Sequence, residues 1–410
     1  MDDAKTLPLE GVRVADFSRV QAGPQTTLWL AVMGAEVIRI ESRQRPDMLR
    51  FPYSSMGTEI TGEDLNKGSF FTALNYSKKS CTLNLTQPEG IDIARQIIKI
   101  SDVVVENYAP GVMDRFDLDY PSLKKVKPDI IVASISGMGQ TGPDKEYLGY
   151  APTIHAYSGL SSYTGYYGSS GSLVGTFWCD ALSAQFAAFA IQVALHHCFR
   201  TGEGQHIDIS LTEATVSAIP EYIMDYTMNH RVRQPMGNRD DIMAPHGCYR
   251  CRGDDRWAAI AVSTEEEWAA FCKAIGNPDW SKEERFSDMY SRWQNQEELD
   301  VLIEEWTVNH TPYEVMEILQ SASVAAAPSL SVEELLNDPH LRERNLFLEI
   351  GHPIMGTGIQ SRLPWRLGPY PGGSYQSAPL LGEHNNYVFH QLLGMSEGEI
   401  SYLIKQRVVY

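Results

Sequence analysis

Positive charge is scarce in this chain. Its 410 residues carry 34 Lys and Arg against 52 Asp and Glu, a formal net charge of −18. Nucleic acid and anionic membrane surfaces select basic patches, so neither is expected as a partner. An anionic ligand stays compatible, because a local basic pocket can sit inside an acidic whole. Cysteine is scarce too. Six irregularly spaced residues fit free thiols in a reducing compartment, here the cytoplasm. Cys248-Tyr249-Arg250-Cys251 lacks the second pair that a zinc site needs, so it is read as structural and no metal site is expected. The stretch Met1–Gly11 has no basic segment leading into an apolar core, so no secretory signal is expected. The longest apolar run is too short and too interrupted for a bilayer span. No G-x-G-x-x-G follows the first strand pattern, so the dinucleotide fingerprint is missing.

What is present fits an ordinary soluble globular protein, with 43% hydrophobic and 21% charged residues. The length suggests two domains. Leu9–Phe17 begins with a short β pattern, Gln21-Ala22-Gly23-Pro24 is a turn that opens a helix over 26–33, Gly34 stops it, and Glu36–Glu41 is a strand. This is a βαβ unit, the building block of parallel α/β sheets. Residues 42–72 read as a surface excursion. Strands over 80–85, 102–107 and 129–135 alternate with helices over 91–100 and 122–126, which predicts a Rossmann-like parallel sheet covered on both faces. The Tyr/Ser/Gly-rich run 157–171 reads as a long loop. After Glu213 a helix runs towards Met228, followed by a loop over 232–248. A strand at 257–262 and helices over 264–275, 297–308 and 312–321 form a smaller α+β unit. Beyond a helix over 332–337, strand and turn lead into an extended segment at 364–373, and a last helix starts at Ser396. The domain expectation is a large Rossmann-like part at 1–224, a small α+β domain at 225–330, and a linker with return to the large domain at 331–410.

One stretch stands apart, Gly175–Glu213. From Ala181 to Phe199 it has no Pro or Gly, and apolar residues face every side of the helical wheel, which predicts a helix buried all round. Thr201-Gly202 ends it as a glycine stop. Its single early acid, Asp180, has two readings: a helix N-cap, or a carboxylate nucleophile aimed into a cleft. Spacing does not separate them.

The segment Arg200-Thr201-Gly202-Glu203-Gly204-Gln205-His206-Ile207-Asp208-Ile209-Ser210-Leu211-Thr212-Glu213-Ala214 resembles the R-T-G-x-G-Q-x-V-D-V-S-L-x-E-A signature of the class III CoA-transferases, also called the formyl-CoA transferase or crotonobetainyl-CoA transferase family. Gly11-Val12-Arg13-Val14, Gln21-Ala22-Gly23-Pro24, Gly34–Glu41, Asn75–Ser80, Glu106–Val112, Ser134–Pro143, Asp338–Leu341 and Leu381–His384 resemble further family strings in collinear order, so the likeness spans essentially the whole chain. The resemblance implies an interlocked homodimer and places Asp180 as the catalytic aspartate. It also implies a coenzyme A site around Gln21 and Ala22, the Leu74–Lys78 stretch, and Asn107, Tyr108 and Arg115. Arg43 stands one step beyond the place where a basic residue often follows the strand's glutamate. Lys78 and Arg115 suit phosphates, and Tyr108 offers an apolar face with a polar tip.

The activity implied is transfer of CoA from an acyl-CoA to a small carboxylic acid, through an aspartyl anhydride and an aspartyl-CoA thioester. Coenzyme A enters as a substrate, with no tightly bound cofactor. The family's glycine-rich loop reads Met243-Ala244-Pro245-His246-Gly247 here, so oxalate and formate specificity is not implied, and His246 is a possible acceptor contact. Two alternatives remain. A 2-methylacyl-CoA racemase on the same fold needs a G-H-D string, where this chain has Gly149-Tyr150-Ala151. A CoA-binding partner subunit of a heteromeric transferase would not need Asp180.

Overall fold

A computed structural model describes residues 7–52, 64–368 and 372–410. Strands β1 (Arg13–Asp16), β2 (Glu36–Glu41), β3 (Lys79–Thr82), β4 (Val103–Glu106), β5 (Ile131–Ser136) and β6 (His206–Ser210) form one sheet. Its order is β3-β2-β1-β4-β5-β6 and every pairing is parallel. The Val and Ile content follows from burial on both faces: Val103, Val104 and Val105 have no exposed surface. On one face Val14, Val37, Val105 and Ile135 pack with helices α1 (Ala22–Val32), α5 (Ala151–Tyr157) and α7 (Trp178–Thr201). On the other, Ala15, Ile38, Val104 and Val132 meet Ile93, Ala94 and Ile97 of α3 (Pro88–Lys99) and the C-terminal residues Val388, Phe389, Leu403 and Val408. The short helices α2 (Ser69–Asn75), α4 (Tyr120–Val126) and α6 (Leu160–Tyr163) complete the N-terminal half.

Beyond α7 the chain forms α8 (Leu211–Val216) and α9 (Pro220–Asn229), then an antiparallel sheet, order β7-β8-β9, of β7 (His246–Arg250), β8 (Trp257–Ala261) and β9 (Ala325–Pro328). Helices α10 (Glu265–Ala274), α11 (Met289–Gln294), α12 (Gln296–Thr307) and α13 (Pro312–Ser321) accompany that sheet, with Trp268, Phe271, Leu299, Ile303 and Leu319 in its core. Then come α14 (Val332–Asn337), α15 (Pro339–Glu343), the hairpin β10 (Phe347–His352) and β11 (Gly356–Ser361), a π-helix Tyr387–Leu392 and α16 (Glu397–Lys405). The chain divides into two compact units, Met1–Leu160 with Val174–Met224 and Arg342–Tyr410, and Ser161–Leu173 with Asp225–Leu341. Residues 161–173, expected in the large part, and 331–341, expected in the linker, therefore fall in the smaller unit. The Gly237 N–H donates to the Gly165 carbonyl at 3.0 Å, and Arg239 lies over the Tyr167 ring. Arg256 pairs with Glu334 at 2.6 Å.

Several expectations change. The single helix after Glu213 is two, because Pro220 supplies no N–H and disfavours helical geometry just before it. The 157–171 loop contains the helical turn α6, and the 232–248 loop ends in β7. The strand expected over 80–85 stops at Thr82. The excursion over 42–72 is anchored rather than superficial, with Asp47 and Arg50 buried; its residues 53–63, and Pro369–Pro371 of the extended 364–373 segment, lie outside the described residues.

The largest correction concerns α7. Gly202 does end it, with φ of +74° that glycine adopts without a Cβ penalty. However, only Cys179, Ser183, Ala184, Ala187, Ala188, Ile191 and Ala194 are buried within the chain. Phe189 is 67% and Phe199 93% exposed, and Phe186 and Val193 are exposed beside them. At 24 residues the helix is also long and apolar enough to cross a membrane by length and composition, a longer element than the interrupted run suggested.

Beneath the loop after β2 lies a buried ionic network. Arg50 grips Glu41 through Nη2–Oε1 at 2.6 Å and Nε–Oε2 at 2.8 Å, and Ser80 donates to Glu41 at 2.7 Å. Arg39 pairs with Asp47 at 2.6 Å, and Lys78 with Asp16 at 3.4 Å. Burial would raise the Glu41 carboxyl, yet Arg50 and Arg39 hold it down at about 2. A depressed folded-state value contributes stability that is full above the ordinary 4.5 and is lost as pH falls through about 2. Glu41→Gln should lower unfolding free energy in urea at pH 7 by about 3–5 kcal/mol, the cost of stranding a buried partner charge. It should also flatten the loss of stability between those two pH values.

Candidate functional site

The strand order reverses between β1 and β4, and in open α/β sheets ligands bind outside the carboxyl ends of the strands at that point. A cavity of about 510 Å³ lies there, lined by Ser18 and Arg19 after β1, Arg39 to Glu41 at the end of β2 with Ser42, Gln44 and Arg45 beyond it, and Tyr108, Val112 and Arg115 after β4. Four arginines, at 19, 39, 45 and 115, make it a basic pocket in an acidic chain. Arg39 is committed to Asp47 and Arg19 donates to the Pro46 carbonyl at 2.7 Å. Arg45 and Arg115 are in no ion pair among the described residues, so their guanidinium groups are available to an anion.

Sequence-selected residues divide into three groups. Tyr108 and Arg115 line the cavity. Asn107 shapes it: its Oδ1 accepts the Arg19 N–H and its Nδ2 donates to the Arg19 carbonyl, both at 2.7 Å. Leu74 and Lys78 lie outside the cavity lining. Leu74 is buried beneath the site. The Lys78 Nζ is enclosed by the Pro24 carbonyl at 2.7 Å, Asn75 Oδ1 at 2.9 Å and Asp16. Burial draws its pKa down to about 7 against the pull of Asp16, so this ammonium serves the core. Arg43 is exposed and not among the cavity-lining residues, whereas Arg45 lies on that wall. Glu106, unremarked in the sequence, is buried at the end of β4. Burial pushes its carboxyl up to about 7 against hydrogen bonds from Ser134 and the Tyr108 N–H.

Gln21 and Ala22 open α1 at the side of Asp180. Asp180 is the third residue of α7; the N-cap is Phe177, and no side chain caps the helix. The cap reading is therefore excluded by position. The Asp180 carboxyl is largely buried and in no ion pair among the described residues. Burial raises its pKa, while the Cys179 thiol at 3.4 Å and the Ala22 N–H draw it down. Two helix starts thus meet at one carboxylate, each presenting the positive end of its dipole. Gly23 permits the approach: a Cβ there would lie 2.2 Å from the Ser18 Cβ. Ser18 and Arg19 wall the cavity while Ala22 touches Asp180, and three residues span on the order of 10 Å. Phe70 and Phe177 flank this end with ring centroids 6.0 Å apart.

A residue that sequence reading missed is His155 on α5. It is 1% exposed and its Nε2 accepts the Cys179 N–H at 3.2 Å. Pro152 in the first turn marks α5 as a helix, but the meeting with α7 is tertiary and leaves no local signal. His246 lies in the smaller unit, where its Nδ1 donates to the Asn238 carbonyl at 2.7 Å beside a cavity of about 640 Å³ shared with Arg239 and Cys248.

Residues 9–385 match the model of CoA-transferase family III. The chain is 31% identical to succinyl-CoA–D-citramalate CoA-transferase of Chloroflexus aurantiacus, over 98% of each. It is 32% identical to the succinyl-CoA–L-malate CoA-transferase alpha subunit of Chloroflexus aurantiacus, over 98% of this chain and 93% of that one. Among solved structures, a CAIB/BAIF family protein from Brucella suis superposes with a TM-score of 0.84 at 28% identity, covering 95% of this chain and 100% of that one. Titration with coenzyme A should separate the two cations that sequence alone put together. Arg115→Ala should weaken binding about tenfold or more, the worth of a charge-assisted contact. Lys78→Met should lower the melting temperature and leave the affinity of the folded protein within about twofold.

Proposed function

The chain belongs to the class III CoA-transferase family, and from that premise we propose that it moves coenzyme A from an acyl-CoA to a carboxylic acid with Asp180 as nucleophile. The observation that carries this reading is the Asp180 carboxylate itself, largely buried in the first turn of α7, raised in pKa by burial and committed to no cation among the described residues. Partial desolvation leaves a carboxylate more nucleophilic than one in water. Attack of Asp180 on the donor thioester carbonyl forms a C–O bond, breaks the C–S bond and gives an aspartyl–acyl anhydride with CoA thiolate. The thiolate then attacks the aspartyl carbonyl and expels the donor acid as its carboxylate, leaving an aspartyl-CoA thioester. The acceptor carboxylate attacks that thioester and frees the thiolate again. Finally the thiolate attacks the acceptor's acyl carbon, yielding the new acyl-CoA and restoring Asp180. One thioester replaces another, so neither ATP nor a proton enters the balance. In this reading first-turn N–H groups of α7 and α1 stabilise the oxyanions, and Arg115, Arg45 and Tyr108 hold the nucleotide end.

The exposed Phe186, Phe189, Val193 and Phe199 of α7 support a homodimer in which a second copy covers this face. The C. aurantiacus alpha subunit makes a heteromeric assembly the rival outcome, which assay of the single purified chain decides. Sedimentation at nanomolar concentration should show a dimer; a stable, active monomer would refute it. Asp180→Asn should abolish transfer by several orders of magnitude with little change in melting temperature, since Asp180 caps nothing. With acyl-CoA donor and no acceptor, wild type should carry an adduct on the Asp180 peptide that hydroxylamine converts to a hydroxamate. Near-normal turnover by the Asn variant would remove Asp180 from the chemistry.

A further inference from the structure

Four N–H groups at the start of any α-helix lack intrahelical acceptors, and in α7 one of these is the Cys179 N–H, immediately before the nucleophile. No side chain caps this helix start. The acceptor comes instead from another helix, His155 Nε2 of α5, at 3.2 Å. An imidazole nitrogen accepts only without a proton, so the ring must be neutral with its hydrogen on Nδ1. That Nδ1 is buried with no hydrogen-bond partner among the described residues, so the contact with Cys179 is the ring's defining polar interaction. We propose that His155 is the positioning residue of the Asp180 nucleophile, fixing the first turn of α7 through Cys179 only while its ring is neutral.

The surroundings agree. Burial alone lowers the His155 pKa below the usual imidazole range, and the helices packed against α5 carry Cys179 and Asp180 of α7 and Glu213 of α8 in their first turns. The Cys179 thiol is pushed up to about 12, chiefly by burial, so it stays protonated. Asp180 is raised by burial. The two groups that matter therefore converge from opposite sides: as pH falls, His155 gains a proton and loses its acceptor, and Asp180 gains a proton and loses its nucleophile. Protonation of Asp180 stops the first step and protonation of His155 slows it, so the acid limb of kcat/KM should be steeper than a slope of one.

The proposal rests on Asp180 being the nucleophile, and the test keeps the two apart. With an acyl-CoA donor that wild type turns over, adduct formation on the Asp180 peptide is followed without acceptor for wild type, His155→Gln and His155→Leu. Gln offers an amide oxygen to Cys179 and does not titrate; Leu offers nothing. His155→Gln should form the adduct at near the wild-type rate, with the acid limb reduced to a slope of one. His155→Leu should form it about tenfold more slowly or worse, with unchanged affinity for coenzyme A, because the nucleotide cavity does not involve α5. Wild-type adduct with wild-type rates in the Leu variant, or an unaltered acid limb in the Gln variant, overturns the role of His155 and leaves Asp180 standing. Absence of adduct in wild type sinks both. Should the Leu variant fail to fold, the acid limb of the Gln variant decides alone.

Discussion

Six charged side chains lie almost wholly out of water beneath the loop that follows β2: Asp16, Glu41 and Asp47 against Arg39, Arg50 and Lys78. They balance in sign, and everything at the ligand end of the sheet hangs from them. Burying a charge is tolerable only with a partner in good geometry, so each acid dictates where a base must be. Arg50 must reach Glu41, which folds residues 42–50 back onto the sheet and forms the cavity wall that carries Arg45. Asp47 accepts from the Val20 N–H at 2.9 Å as well as from Arg39, which ties that wall to the turn after β1. A hydrophobic cluster of equal volume could be as stable, but it would not specify where these loops lie.

How much of this was legible depends on what each residue answers to. The strands were plain, since Val103–Val105 and Ile131–Ile135 have the composition of a sheet buried on both faces, and the motif strings singled out Tyr108 and Arg115, which line the cavity, and Asp180 in the first turn of α7. Lys78 misled because a lysine in a phosphate-binding family reads as a ligand contact, whereas its position just before β3 places the ammonium among core oxygens. Arg43 and Arg45 differ only in which way a loop turns, which the ionic network decides and no local pattern records. The outer face of α7 misled in the other direction: apolar residues on every side predict burial but do not say by what. His155 was invisible because its partner is a backbone N–H on another helix.

The position of Asp180 also explains why a cap and a nucleophile need not compete. A capping side chain is spent on closing its own helix end, while a carboxylate in the first turn pairs with no cation and still profits from the dipole. The work of satisfying the first-turn N–H groups then falls to neighbours. The α1 start, held against α7 by the Thr26 hydroxyl near the Ala184 carbonyl at 3.4 Å, returns the favour by aiming the Ala22 N–H at Asp180.

The turn from Ser18 to Ala22 has a consequence for engineering. Asn107 locks both backbone groups of Arg19, Gly23 seats against Ser18, and three residues after Arg19 the chain is already at Asp180. The basic cavity wall and the Asp180 carboxyl therefore share one short piece of backbone, so an insertion or swap there displaces both. Variation meant to spare that backbone would leave residues 16–23 untouched and fall on side chains outside the turn, such as the ring pair Phe70 and Phe177.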